Sequence, residues 1–446
     1  MFDVRYQVAL HTTSFAEQPL SDRSLGRFRA RCTAYEEETG IDLIHDCVIS
    51  LSREIAEIMK VNSHLKRMDS LMVASNIKKM SRLELLYTCV SNMVNLLAQD
   101  NLEILPENLK HYCSKDDRNT VIYHNRSEKT SDRIDQVLKD AKELLPLRSG
   151  KYDDASEYHL LLRVLNEQAT KGEQGDYHLK EKPDPSMNSS ILQNPADPDA
   201  TFRNKNGKQH RGYVANVTES VGESGSLIPD YQYDQNNHSD GQFLDESLSK
   251  TETLPEREVL VADGGYSGTD HMKAADKKNI ELVTTGLTGR KTKDIYADFE
   301  FNERGDRVLR CANGEKPKSC NYVRQTEQCN VSFPRSTCEN CPYRDKCQPK
   351  IFKRTARVTV SIKSRERAKQ QRHRDTESFR ILSAIRNGVE SIPSILRRKY
   401  RVDHMPVRRK IPTKHLFGFK IASLNFKKLC TYLQSGDPYV QNPGMA

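Results

Sequence analysis

The sequence predicts an α/β protein with a mixed sheet that is flanked by helices. Residues 258–263 ("EVLVAD") form an apolar run, a short helical pattern follows, and residues 280–286 ("IELVTTG") form a second apolar run. This β-α-β alternation is typical of parallel strands that are covered on both faces. Residues 210–220 and 226–234 alternate between apolar and polar side chains around "VGESG", which predicts a β-hairpin.

The other elements follow from the spacing of apolar residues. One strand is unusual, because the apolar run at 64–76 is interrupted by Asp69. Residues 170–208 are polar and rich in Pro, Asp, Asn and Gly, which indicates a loop or linker. Helices are predicted at 15–60, at 81–99, less clearly at 130–168, at 239–250 and at 376–392, and a further strand at 356–364.

The charge of the chain is unevenly distributed. The 446 residues allow about three domains at roughly 150 residues each, and the formal net charge is +9. Residues 351–430 contain 22 Lys and Arg against 5 Asp and Glu, a net +17, so the remainder carries −8. A basic segment on a mildly acidic body predicts a polyanionic partner such as DNA or RNA. On charge alone, a solvated basic surface is an equally good interpretation.

Several classes of protein are excluded or disfavoured. No run of 18 apolar residues is present, which excludes a membrane span, and the first residues lack the pattern of a secretion signal. We therefore expect a cytoplasmic protein. The sequence also lacks the P-loop, the HExxH zinc motif and the GxSxG nucleophile motif.

Two aspartates are candidates for metal binding. Asp263 ends a predicted parallel strand and precedes Gly264 and Gly265, a position where ligands often bind in α/β sheets. The alternative is a turn-forming or helix-capping aspartate. Asp69 lies within an apolar strand, where an ionised carboxylate needs a cation or hydrogen bonds, unless it faces solvent. Asp240, at the start of a predicted helix, could contribute near the site but is more simply interpreted as the helix cap.

A glutamate completes the candidate set. Glu390 follows Arg386 by four residues on the predicted helix, so the two share one face, although a surface ion pair has the same spacing. Three such acids could hold two Mg²⁺ ions, which stabilise both the attacking and the leaving oxygen in phosphoryl transfer.

Six of the eleven cysteines lie within residues 311–347. Cys338, Cys341 and Cys347 have the spacing C-x2-C-x5-C, and a single Zn²⁺ needs four thiolates. We expect these three to bind a structural Zn²⁺ together with one upstream cysteine, Cys320 or Cys329. The alternative is a set of reduced, buried thiols in a small insert.

These residues together resemble a known family, the DDE transposases of bacterial insertion sequences. The segment "VADGGYSG" around Asp263 and the segment "RMDSLMVASN" around Asp69 are similar to the family's two aspartate motifs. Arg386, Glu390 and Arg397 have the spacing of its glutamate helix, with Ser383 where tyrosine is usual and Arg397 in place of lysine. The similarity extends from about residue 15 to 433 and is strongest to the subgroup numbered eleven-eighty-two.

The resemblance implies a fold and an activity. The core would be RNase H-like, and Asp69, Asp263 and Glu390 would bind two Mg²⁺ (or Mn²⁺) ions. The enzyme would cut DNA at the transposon ends and join the freed 3′-OH to target DNA. Tyr266 would pack in the core. Relatives typically have a longer helical region at the N-terminus, so the chain looks short there.

The implied partners are double-stranded DNA and a second copy of the chain, with the protein located at the nucleoid. Arg386 and Arg397 would position a phosphate or orient Glu390. The residues expected to contact DNA are Arg386, Arg397, Arg398, Lys399, Arg408, Arg409 and Lys410. Two alternatives stay open: a DNA-binding remnant that no longer cuts, and an RNase H-like nuclease that cuts without joining.

The expected domains follow from these assignments. They are a helical N-terminal region (1–62), the first part of the catalytic core (63–293) with a helical insertion at about 79–170, a cysteine-rich insert (294–352), the end of the core with the glutamate helix and a basic segment (353–433), and a tail (434–446).

Overall fold

The computed structural model describes most of the chain. The residues outside the description are 1–7, 9–10, 13–20, 22, 62–63, 124–128, 149, 182–183, 206, 285–291, 375, 378, 383–390 and 436–446. The described helices are α1 (Ser24–Thr39), α2 (Leu43–Met59), α3 (Arg82–Asp100), α4 (Lys115–Ile122), α5 (Thr130–Leu144), α6 (Ser156–Gln168), α7 (Asp240–Lys250), α8 (Thr269–Lys277), α9 (Arg335–Glu339), α10 (Arg344–Cys347), α11 (Ile362–Arg374), α12 (Ser391–Arg398) and α13 (Lys410–Ser435).

The described strands are β1 (Leu65–Ala74), β2 (Ala169–Lys171), β3 (Tyr177–Leu179), β4 (Thr201–Lys205), β5 (Lys208–Gly222), β6 (Gly225–Gln235), β7 (Glu258–Ala262), β8 (Ile280–Thr284), β9 (Glu300–Phe301), β10 (Val308–Arg310), β11 (Ser319–Val323), β12 (Gln328–Pro334), β13 (Lys350–Ile351) and β14 (Thr355–Val360). Short 3-10 helices lie at Leu102–Ile104, Glu107–Cys113, Leu145–Arg148, Gly264–Tyr266 and Asp294–Asp298.

A mixed sheet with β1 at its centre forms the core of the molecule. β1 pairs antiparallel with β5 on one side and parallel with β7 on the other, and β7 pairs parallel with β8. β4 and β6 both pair antiparallel with β5. The predicted mixed α/β class, the hairpin and the β-α-β unit are therefore confirmed.

The position of β1 follows from its composition. Leu71 and Val73 are buried towards one face of the sheet and Met68 and Met72 towards the other, as expected for a central strand covered on both sides. Asp69 is only half-buried within this apolar run.

Two further regions have cores of their own. The helices between β1 and β4 form a buried cluster in which Leu86, Val90 and Leu161 are fully covered. The region from Asp294 to Val360 contains the four-stranded sheet β11-β12-β14-β13, and its core includes Phe299 and Phe333. The core of the region from Asp294 to Val360 is small, so the cysteines in that region bear directly on its stability.

The predicted loop at 170–208 is partly wrong. It contains β2 and β3, which pair with each other, and β4, which pairs with β5. Lys205 of β4 pairs with Lys208 of β5, and Gly207, which precedes Lys208, has φ +75. The dipeptide Asn-Gly is a strong sequence signal for a β-hairpin, so this hairpin was predictable from the sequence. The polar composition of the segment led to the prediction of a loop instead.

Among the helices of the described residues, none combines the length and the apolar character needed to cross a membrane.

Candidate active site

The pairing of β1 with β7 brings two of the predicted aspartates together. Met68 of β1 is opposite Ala262 of β7 in the parallel register, and Asp69 and Asp263 are the next residue on each strand. Neighbouring strands lie about 4.8 Å apart, so the two aspartates occupy adjacent positions at one place in the sheet. They are separated by 194 positions in the printed sequence, and both side chains are half-buried.

A tight turn after β7 fixes the Asp263 carboxylate. Its Oδ1 accepts a hydrogen bond from the backbone N–H of Gly265, at the start of the 3-10 turn Gly264–Tyr266. A Cβ at position 265 would lie 3.0 Å from that oxygen and would also collide with a carboxylate oxygen of Asp240. Because Gly265 has no Cβ, the carboxylates of Asp240 and Asp263 can both lie close to it. Asp263 therefore forms the turn and also faces the site.

Asp240 is a further acid beside these two, and a role near the site was the less favoured of its two interpretations from the sequence. The N-cap of α7 is Ser239, which forms a capping box with Gln242, so the expectation that Asp240 is the cap is wrong. Its Oδ1 instead accepts a hydrogen bond from Ser70 Oγ at 2.7 Å, which ties the start of α7 to β1 beside Asp69.

Tyr266 lies beneath the three aspartates. Its side chain is fully buried, as predicted, and its hydroxyl donates to Asn216 Oδ1 at 2.7 Å. Burial raises the pKa of Tyr266 well above its usual value, and the negative charges of Asp240, Asp69 and Asp263 raise it further. Three carboxylates from three separate segments thus act electrostatically on one buried hydroxyl.

The third predicted acid cannot be placed in this geometry. Glu390 and Arg386 lie outside the described residues.

The described residues on either side of Glu390 pack on one face of the sheet. Phe379 belongs to a buried cluster with Val261 of β7, and Ile392 belongs to the cluster that contains Leu71 of β1. Val261 pairs with residue 67 of β1, and side chains alternate along a strand, so both anchors lie on the face that also bears Asp69.

Two described members of the predicted basic set, Arg397 and Arg408, lie near the C-terminal end of β1. Arg397, Arg398 and Lys399 are exposed at the end of α12. Arg397 Nε lies 3.8 Å from Asp403 Oδ1. Partial burial lowers the pKa of His210, and positive charge on Lys208, Arg397 and Lys205 lowers it further.

The other three basic residues precede or begin α13. Arg408 and Arg409 are exposed, and Arg408 Nε donates to the carbonyl of Asn76, just beyond β1. Lys410 donates to Asp234 at 2.8 Å. Lys410 is therefore already engaged in an ion pair, whereas the remaining members present their charge at the surface.

The cysteine-rich region divides its thiols into two groups. Cys320 and Cys329 lie on the neighbouring strands β11 and β12, and their thiols are hydrogen-bonded to each other. Cys338, Cys341 and Cys347 line a separate cavity together with Cys311.

A second carboxylate cluster lies between the N-terminal and C-terminal helices. One ligand atom each of Glu36, Asp42 and His415 falls within 4.8 Å of the others, a spacing that a metal ion could bridge. Lys414 already occupies this cluster, because its Nζ contacts Glu36 and lies 2.9 Å from Asp42 Oδ2. We interpret it as a buried ion-pair network that joins α13 to α1 and α2.

The pKa shifts in this cluster agree with that interpretation. Burial lowers the pKa of His415, but hydrogen bonds to Asp42 and Glu36 outweigh it and the net pKa is raised. Burial raises the pKa of Asp42, but hydrogen bonds from His415 and Lys414 bring it well below its usual value. Asp42 is thus held ionised by cations of the same chain.

The cysteine-rich region and the basic segment beyond it also match a known family. Residues 310–430 match a family model described as a transposase DDE domain. The match includes the basic residues of α12 and α13, and it includes neither Asp69 nor Asp263. It covers about a quarter of the chain and supports a DNA transposase in general terms.

Two other comparisons add little. A cryo-EM structure of the piggyBac transposase synaptic complex with hairpin DNA aligns over 94% of this chain and 82% of that chain, with 12% identity and a TM-score of 0.23. A score this low does not establish a common fold. No curated protein sequence matches the chain.

Proposed function

We propose that the protein is a DDE transposase of the insertion-sequence type, with an RNase H-like core and Asp69, Asp263 and Glu390 as its catalytic acids. The observation that carries the proposal is the adjacency of Asp69 and Asp263 on parallel strands. The match of residues 310–430 to a transposase domain gives independent support, because that segment is distant in sequence from both aspartates.

The donor set fits hard divalent cations. Carboxylate oxygens are the preferred ligands of Mg²⁺ and Mn²⁺, and the half-buried side chains of Asp69, Asp240 and Asp263 contribute charge at one point. Two such ions, when bound, would activate the attacking hydroxyl group and stabilise the leaving oxygen.

The chain's own residues hold these ligands in place. The Gly265 N–H fixes one oxygen of Asp263, and the Ser70 hydroxyl fixes one oxygen of Asp240. Asp240 then acts as a fourth acid that positions or directly supports the metal site, beside the three of the triad.

The proposed reaction conserves the number of phosphodiester bonds in its joining step. In the first step, water attacks a phosphorus atom at the transposon end, the P–O3′ bond breaks, and the 3′-oxygen leaves with a proton. In the second, this 3′-OH attacks a target phosphate and the target's own 3′-oxygen departs. No external energy source is required, because one bond replaces another.

Glu390 is assigned on the resemblance and on its neighbours in sequence. The flanking anchors Phe379 and Ile392 pack on the face of the sheet that bears Asp69, which is where a third acid is needed. Arg386 and Arg397 would position a phosphate or orient this glutamate.

The exposed basic residues supply the proposed contact with DNA. Arg397, Arg398, Lys399, Arg408 and Arg409 would bind backbone phosphates, which position the duplex without reading its sequence. Lys410 can join them only by leaving Asp234. Coordinated cleavage of two ends requires at least a homodimer in the active complex, and such a complex would be nucleoid-associated in the cytoplasm.

The test is a cleavage and joining assay on a supercoiled plasmid that contains the coding sequence and its natural flanking DNA. With Mg²⁺, the wild-type protein should release the ends and join them to target DNA, and EDTA should stop both steps. Asp69→Asn and Asp263→Asn should bind the DNA and not cut it, while Asp270→Asn, an exposed acid on α8, should behave like wild type.

Each other outcome points to a different protein. Binding without cleavage by the wild type would indicate a DNA-binding remnant, and cleavage without joined product would indicate a nuclease. Unchanged cutting by Asp263→Asn would refute the site.

A further inference from the structure

The cysteine-rich region contains a cavity on which four thiols converge. Cys311, Cys338, Cys341 and Cys347 line it, and its volume is about 30 Å³. Ile295, Phe299 and Phe333 close it on the apolar side. A space of this size holds one small ion or molecule.

Tight turns present these cysteines. Cys311 begins a turn in which Gly314 N–H donates to the Cys311 carbonyl at 2.8 Å, and Gly314 has φ +81, which favours glycine. Cys338 lies in α9, and Cys341 follows two residues after the end of this helix. Cys347 ends α10, where its N–H donates to the Tyr343 carbonyl at 2.8 Å.

The thiols of Cys338 and Cys347 lie near the other members of the set. Burial raises the pKa of Cys338 to about 11, and charge on Cys311 and Cys341 adds to the shift. The pKa of Cys347 is also about 11, raised by burial and by charge on Cys338, Cys311 and Cys341, and opposed by Lys293.

Cys320 and Cys329 have other partners. Cys329 is fully buried and its thiol donates to the Asp306 carbonyl at 3.2 Å. The Val308 N–H donates to Cys320 Sγ at 3.4 Å. Both cysteines therefore belong to the packing between β10, β11 and β12, on the other side of the small core.

We propose that Cys311, Cys338, Cys341 and Cys347 bind one structural Zn²⁺. Four thiolates complete a tetrahedral shell and leave no open position for catalysis. The complex would carry a net charge of −2, and Lys293 is placed to offset it, since its Nζ donates to the Cys347 carbonyl at 2.7 Å. Cys311 thus takes the place that spacing alone assigns to Cys320 or Cys329.

Binding requires the cluster to close. Sulfur atoms around Zn²⁺ lie about 3.8 Å apart, given Zn–S bonds of about 2.3 Å. Among the described residues, no three of these thiols lie within 4.8 Å of one another. Rotation of cysteine side chains into the cavity would bring them together and release their protons, so zinc would tighten the region as it binds.

The first test compares two matched substitutions. The full-length protein, purified with zinc in the medium, should contain about one zinc per chain by mass spectrometry. Cys311→Ser should lose most of it, whereas Cys320→Ser should retain it. Retention by Cys311→Ser with loss by Cys320→Ser would overturn the proposed ligand set, and a wild-type protein without zinc would overturn the site.

A second variant separates ligation from folding. Cys311→His keeps a zinc ligand at this position, so it should bind Co²⁺ with tetrahedral d–d bands but with weaker thiolate-to-metal charge transfer than wild type. If Cys311 only supports packing, the variant's Co²⁺ spectrum should be that of the wild type, and this result would refute direct ligation. The assay measures metal alone, so its outcome is independent of transposase activity.

Discussion

The two carboxylate clusters of this protein differ in what surrounds them. The cluster of Glu36 and Asp42 contains its own cations, Lys414 and His415, and is buried between helices. At the Asp69–Asp263 site, Asp240 accepts from the neutral hydroxyl of Ser70 and Asp263 from the neutral amide of Gly265.

Proximity of acids is therefore a poor guide to metal binding by itself. The cluster of Glu36 and Asp42, called here the helical cluster, has the tighter spacing of ligand atoms, yet Lys414 and His415 balance its negative charge. Its role is to join α13 to the N-terminal helices. The site of Asp69, Asp240 and Asp263, called here the sheet site, has Asp263 directly after the end of β7 and beside two glycines, where a ligand can approach. The following predictions test this division of roles.

The largest effect should come from Asp263→Asn. It removes a ligand charge from the sheet site, and we expect DNA cleavage to fall by about 10³-fold or more, measured as initial rate at saturating Mg²⁺. The melting temperature should stay the same or rise, because a carboxylate near two others is lost. A fall in melting temperature that accounts for the lost rate would contradict the assignment.

Glu36→Gln should show the reverse pattern. It leaves Lys414 and His415 without one of their two acidic partners in a buried setting, and breaking such a pair costs roughly 3 kcal/mol. Urea unfolding should reveal this loss, while the cleavage rate of the folded protein should match wild type. A strong loss of metal-dependent cutting at full stability would mean that this cluster is the metal centre.

Gly265→Ala should have an intermediate effect on the sheet site. The new Cβ would collide with the carboxylates of Asp240 and Asp263, and we expect the Mn²⁺ concentration for half-maximal cleavage to rise by about tenfold, the equivalent of ~1.4 kcal/mol. Gly26→Ala on α1 is the control, since a Cβ there meets nothing within 4 Å. Equal behaviour of the two variants would argue against a close pair of carboxylates.

The smallest effect should be a pH dependence of stability from the helical cluster. The pKa of His415 is raised in the folded state, so its contribution is complete below the usual value of 6.5 and is lost as the pH rises through the folded pKa. Asp42 contributes at low pH instead. Because its pKa is lowered in the folded state, the stability that it contributes is lost only as the pH falls below 3.8. In wild type, the free energy of unfolding should decline above pH 6.5, and His415→Gln should flatten that decline. Identical profiles would show that His415 is not charged in this network.

The sequence allowed a good prediction of the individual elements of the sheet site. An aspartate inside an apolar run and another before a Gly-Gly pair marked Asp69 and Asp263 correctly as residues at unusual positions. Their adjacency depends on the register of β1 with β7, which is set by tertiary packing and has no local signature.

Other features were hidden for identifiable reasons. Asp240 resembles a helix cap because it follows Ser239, and only the capping box of Ser239 with Gln242 shows that its carboxylate is available for another contact. Cys311 lies far upstream of the C-x2-C-x5-C motif, so spacing could not select it over Cys320 or Cys329. Pairing of β11 with β12 separates the two groups, and this is again a tertiary effect.

The most direct test of the central claim is Mn²⁺ binding by electron paramagnetic resonance, which measures free Mn²⁺ in the absence of DNA. The account predicts that wild type and Glu36→Gln bind Mn²⁺ with similar affinity, and that Asp69→Asn and Asp263→Asn each lose at least about tenfold in affinity. Equal binding by the two aspartate variants and weaker binding by Glu36→Gln would show that the divalent ions belong to the helical cluster.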